Sequence, residues 1–324
     1  MRTGKSVKIA AACSAGLLLA AGCGSGDGGS GPGGDGPAIV TGVYPLQWLA
    51  EQVSGDPGAV SNLTEPGAEP HDLELTGRQT GEVTDADVVF YVSGLQPAVD
   101  DAVAQSGTEG ALDVADLVEL RPAGGDDGHG EEGHDHDHGE EEHAEEEHDH
   151  GEFDPHMWLD TGLMAEAADG LADRLAEVDP DGAEAYRANA EQVRAELEEI
   201  GAEYDEGLAE CDGRTLVVNH AAFGYLAAAH DLEQISVSGI DPDSEPSPAR
   251  IAEVSDLVKE HDVTTVFTET LVSPEVAETI AEEAGAETAV LDPLEGITDE
   301  SPGDDYPSVM RGNLESLRGG LGCS

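Results

Sequence analysis

Between positions 126 and 152 the chain has one apolar side chain, Ala144, among fourteen Asp or Glu and seven His: His129, His134, His136, His138, His143, His148 and His150. A stretch of that composition cannot bury a core. It is expected to be a disordered loop, and any folded body must be assembled from the sequence on either side of it. Clustered imidazoles and carboxylates also bind divalent metals weakly and at several places. The loop therefore reads as an accessory metal collector or as a solvated acidic linker.

Both flanks alternate short β-rich runs with helical stretches. Before the loop, the pattern predicts strands over 38–41 and 87–92, each followed by a helix, over 45–53 and 97–105. After it come helices over 163–178 and 183–210. Tyr186, Val193, Leu197, Ile200, Tyr204 and Leu208 form one apolar stripe on the second. That helix would be about 40 Å long, which suits a strut between two bodies. The alternation then resumes, with strands over 215–219, 235–238, 264–268 and 288–291 and helices over 221–230, 248–260, 274–284 and 307–321. The expected class is α/β: two parallel-sheet lobes joined by one long rigid helix. The expected division is an amino-terminal lobe over 38–160, a helical region over 161–210 and a carboxy-terminal lobe over 211–324. No internal sequence repeat is visible.

The first residues read as an export signal, 1–22. Arg2, Lys5 and Lys8 precede an apolar run too short to span a bilayer. Leu19-Ala20-Ala21-Gly22-Cys23 looks like a lipobox, although its Leu sits one residue early; Cys23 would carry the lipid and anchor the protein to the outer face of the cell membrane. Residues 23–37 continue as a Gly- and Ser-rich tether reaching roughly 20 Å. Export permits disulfides, so Cys211 and Cys323 either pair, tying the last residues to the start of the second lobe, or stand as separate buried thiols. The formal net charge of −58 leaves no basic face for nucleic acid and favours cations.

Five His lie outside the loop. His230 and His261 each end a helix and precede Asp, where an imidazole complements the helix dipole, so both read as structural. His71, His156 and His220 sit at segment ends. In open parallel sheets ligand sites gather at the carboxyl ends of strands, and three imidazoles there suit Zn²⁺. Asp292, just past a strand, is the expected fourth donor, with Glu269 as the alternative. Spacing alone leaves a ligand role and a capping role both open for each His.

Five segments carry a resemblance. They are Glu69-Pro70-His71-Asp72, Asp154-Pro155-His156-Met157-Trp158-Leu159-Asp160, Val218-Asn219-His220-Ala221-Ala222-Phe223-Gly224-Tyr225-Leu226, the run from Gly239 to Ser247, and Leu291-Asp292-Pro293-Leu294. In order and spacing they resemble the zinc/manganese family of ABC-transporter solute-binding proteins. The resemblance implies metal held between the lobes by His71, His156 and His220, with a carboxylate or water as fourth ligand. It implies an ABC permease and ATPase as partners, and a monomeric, non-enzymatic binder. His at 220, where the manganese branch typically has Glu, and the His-rich loop point to Zn²⁺ over Mn²⁺. Two other readings are an envelope zinc hydrolase with Glu269 as base, for which no His-Glu-x-x-His motif is present, and an adhesin, a role ascribed to some members of the family. A stiff helix between lobes disfavours wide hinge opening, so metal is expected to order loops near His71 and His156.

Overall fold

The computed structural model describes residues 36–107, 109–123 and 153–324. Cys23, the tether as far as residue 35 and the seven loop histidines lie outside the described residues.

In the first lobe, β1 (Ile39–Thr41) leads to α1 (Tyr44–Ser54), then β2 (Val60–Asn62), α2 (Gly77–Asp85), β3 (Val88–Tyr91), α3 (Pro97–Ser106) and β4 (Ala111–Asp113). The strands form a parallel sheet in the order β2-β1-β3-β4. Its central strands are unbroken apolar or β-branched runs, Ile39-Val40-Thr41 and Val88-Val89-Phe90, all buried, as a sheet covered on both faces requires. The edge strands β2 and β4 were not expected. Each is three residues long and only partly buried, too short for a readable alternation. Helix α2 was also missed. Val83 is its one buried side chain, and its start is fixed by a reciprocal cap between Thr76 and Gln79.

Helices α4 (Thr161–Val178) and α5 (Ala183–Gly207) follow and pack on each other. The expected stripe of α5 is buried from Tyr186 to Tyr204. At its start Asn189 Nδ2 donates to Val53 O of α1 (3.1 Å), and near its end the Tyr204 hydroxyl donates to Met310 O (2.7 Å). Its 25 residues span about 37 Å, enough to run from one lobe to the other.

The second lobe comprises β5 (Thr215–Val218), α6 (Gly224–Ala229), β6 (Glu233–Ser236), α7 (Pro248–Glu260), β7 (Thr265–Thr268), α8 (Glu275–Ala284), β8 (Glu287–Val290) and α9 (Tyr306–Gly320). Its parallel order is β6-β5-β7-β8. Counted within each lobe, both sheets run second-first-third-fourth, a topological repeat with no counterpart in the sequence. A disulfide joins Cys211, just after α5, to Cys323.

One apolar core continues through both lobes and the helices between them. At its centre Trp48 of α1 stacks on Tyr306 of α9, with ring centroids 4.6 Å apart. The Tyr306 hydroxyl donates to Trp158 O (2.6 Å), and Trp158 Nε1 donates to Pro293 O (2.7 Å). Opening such a seam would expose large aromatic surface, at roughly 25 cal/mol per Å².

Candidate metal centre

Each strand order reverses beside its first strand, and the crevice at such a point collects ligands. His71 lies in the segment between β2 and α2. The buried Gln96, ahead of α3, holds that region: its Nε2 lies 3.1 Å from Gly42 O, 2.9 Å from Thr64 Oγ1 and 3.1 Å from Pro70 O. His156 precedes α4 in a turn built by Asp154, whose Oδ1 accepts from the His156 backbone N (3.0 Å) and faces Nδ1 at 2.7 Å. His220 follows β5. Glu269, just past β7, takes its backbone N with Oε1 (3.0 Å) and faces its Nδ1 with Oε2 (2.6 Å).

These outer carboxylates fix the Nδ1–H tautomer of both rings and turn Nε2 inward. Removing one leaves the ring free to rotate. Asp154→Ala and Glu269→Ala are each expected to weaken zinc binding about 10- to 100-fold, read by competition with a chelator.

The carboxylate that meets the rings is Glu295. Its Oε1 lies 3.2 Å from His71 Nε2, 3.1 Å from His156 Nε2 and 3.2 Å from His220 Nε2, and the His71 and His156 Nε2 atoms are 3.3 Å apart. All four residues are buried. A tetrahedral ion with bonds of about 2.0–2.1 Å separates its donors by about 3.3 Å. Four of the six edges of this donor set therefore already have zinc dimensions.

Asp292 and Glu269, the carboxylates expected from the sequence beside the rings, lie outside this cluster. Asp292 is fully buried, but its carboxylate accepts from Leu294 N (2.8 Å) and Thr270 Oγ1 (3.3 Å) rather than facing the rings. Glu269 is spent on the outer nitrogen of His220. Glu295, three residues past Asp292, was overlooked. The available signal was a second acid immediately behind a Pro-containing turn at a strand's carboxyl end. His230 does sit in a helix-end environment, stacked on Tyr204 with Nδ1 3.1 Å from Asp205. His261 caps the end of α7.

The electrostatics are those of a cation site. Burial alone would lower the basicity of every ring. For His71 burial wins, despite Glu295, and the ring is less basic than usual. For His156 burial is outweighed by Asp154 and Glu295, and for His220 by Glu269 and Glu295; His156 is raised and His220 raised well above the imidazole range. Burial opposes ionisation of Glu295, but His220, His156 and His71 together hold it well below the carboxylate range. Glu69, whose Oε1 accepts from His71 N (3.1 Å), is pushed up to about 8 by burial and by Glu295; its Oε2 is buried with no hydrogen-bond partner.

Residues 39–320 match the family described as zinc-uptake complex component A, periplasmic. The chain is 33% identical over 323 residues to the high-affinity zinc uptake system protein ZnuA of Bacillus subtilis, covering 97% of this chain and 96% of that one. It is 37% identical over 284 residues to the zinc-binding protein AdcA of Streptococcus pyogenes, but spans only 55% of that protein's length. Among solved structures, Zn(II)-bound AdcA from Streptococcus pneumoniae aligns with 88% of this chain and 58% of its own at a TM-score of 0.71 and 31% identity. The laminin-binding protein Lmb of Streptococcus agalactiae, described as bifunctional in adhesion and metal transport, aligns with 89% of this chain and 100% of its own at 0.74 and 30%.

Proposed function

We propose that this chain, which belongs to the family of periplasmic zinc-uptake components, captures Zn²⁺ outside the cytoplasm and delivers it to the permease and ATPase of an ABC importer. The carrying observation is the buried set of three inward-facing imidazole nitrogens and one carboxylate oxygen at zinc spacing. Nitrogen donors favour zinc over manganese, which prefers oxygen. With four protein donors the ion has no open position for water, so the role is binding rather than hydrolysis. The seam of aromatic side chains and α5 support lobes that stay together, so that metal entry and exit involve the ligand-bearing loops.

The reading extends to parts outside the described residues. Cys23 would hold the protein to the membrane by lipid, the tether would lift the body off the surface, and the His-rich loop would gather metal near the cleft. The test is titration of the purified protein, and of the same protein lacking 126–152, with zinc and manganese against a competing chelator. One tight zinc per chain, kept in the deletion, with manganese far weaker, is the expected outcome. Manganese binding as tightly as zinc, or loss of the tight site with the loop, would overturn it.

A further inference from the structure

We propose that Asp292 is a positioning residue for metal capture: it does not touch the ion but builds the turn that brings Glu295 to the three rings. The proposal rests on the metal-centre reading above. Strand β8 ends at Val290, and the chain must double back to place Glu295 only five residues later. Leu294 accomplishes this with φ of 62°, a left-handed conformation that leucine rarely adopts. The other described non-glycine residues with positive φ, Asp231 and Asp262, are short polar residues just beyond helices, where that conformation is ordinary. Leu294 is fully buried and apolar and has no such help of its own.

The help comes from Asp292. Its Oδ1 accepts from Leu294 N at 2.8 Å, an Asx-type turn that pins the peptide leading into the left-handed residue. Its Oδ2 accepts from Thr270 Oγ1 at 3.3 Å, one residue past the Glu269 that holds His220. Its backbone is gripped from α9: Asp292 N donates to Asn313 Oδ1 (2.9 Å), and Asn313 Nδ2 donates to Asp292 O (2.7 Å). The next residue, Pro293, accepts from Trp158, two residues past His156. Asp292, Asn313, Leu294 and Trp158 are all completely buried. The turn carrying Glu295 is thus tied to Trp158, two residues past His156, and to Thr270, next to the Glu269 that holds His220. A buried carboxylate that meets no cation needs this kind of structural return.

The test compares Asp292→Ala, Asp292→Ser and Asp292→Asn with Glu295→Ala in the otherwise intact protein. Zinc affinity is read by chelator competition and donor set by the visible spectrum of the Co²⁺-loaded form. Asp292→Asn keeps the oxygen that Leu294 N needs and is expected to stay close to the parent in both. Asp292→Ala is expected to lose about 10- to 100-fold in affinity, the scale of an outer support, and to move its Co²⁺ spectrum toward that of Glu295→Ala. Asp292→Ser, with a shorter acceptor, falls between, and carries the comparison if Asp292→Ala does not fold. Parent-like affinity and spectrum in the Ala or Ser variant, or an Asn variant as weak as Ala, would overturn the proposal. A Glu295→Ala variant indistinguishable from the parent would instead sink the metal-centre reading beneath it.

Discussion

Replacing Glu295 by glutamine is expected to weaken zinc binding by at least about a hundredfold while leaving the protein folded. Outer supports of a metal site are worth about 10- to 100-fold, and an inner donor belongs at or above the top of that range. Two effects act together. The ion loses the one anionic donor at the meeting point of three Nε2 atoms, each 3.1–3.2 Å from Oε1. The metal-free rings lose their shared counter-charge as well, so His156 and His220 should titrate at lower pH in the variant than in the parent. Ring titration followed by NMR and affinity by chelator competition check the two halves separately. Parent-like affinity in Glu295→Gln would show that the negative charge at the centre of the cluster does not hold the ion.

Zinc binding is expected to expel protons and to tighten steeply with pH. In the metal-free protein burial is overcome by carboxylates at His156 and His220, so both rings are raised and hold protons that the ion must displace. His71 is lowered and already neutral, and Glu295 is held low and already ionised, so neither releases a proton. Each displaced proton contributes about tenfold per pH unit, giving up to about a hundredfold per unit while both rings are charged. The metal-free stability runs the other way. A histidine raised in the folded state stabilises fully below its unfolded value of about 6.5, and that contribution is lost as pH rises through the folded value. The melting temperature without metal should therefore fall on going above pH 6.5, while the rise produced by zinc grows. Titration calorimetry in buffers of different ionisation heat counts the protons. A count of zero near neutral pH would mean that the rings are neutral before zinc arrives.

The parts of the fold that were legible are those with a strong period or an unbroken apolar run. Helix α5 announced itself by its stripe, and β1, β3, β5 and β7 by buried β-branched residues. The edge strands β2 and β4 were not, because three partly exposed residues held by backbone pairing leave no side-chain pattern. The three histidines that converge were singled out because they stand at segment ends within recognisable blocks. The carboxylate that meets them was not singled out, for a geometric reason. Position after a strand says which residues are near a cleft, but not which carboxylate points inward. That choice is made by one left-handed leucine and the hydrogen bonds around it, and φ at Leu294 is written in no local composition rule.

The disulfide has a consequence for survival in the environment where such a chain works. Cys211 and Cys323 are 112 positions apart and enclose β5 to β8, α9 and two of the four cage residues, His220 and Glu295. Everything between them is one covalent ring. A single protease nick anywhere in that ring opens it without releasing a fragment, and both cage residues stay attached to the rest of the molecule. A nick on the other side of Cys211, in the stretch before it, has no such insurance.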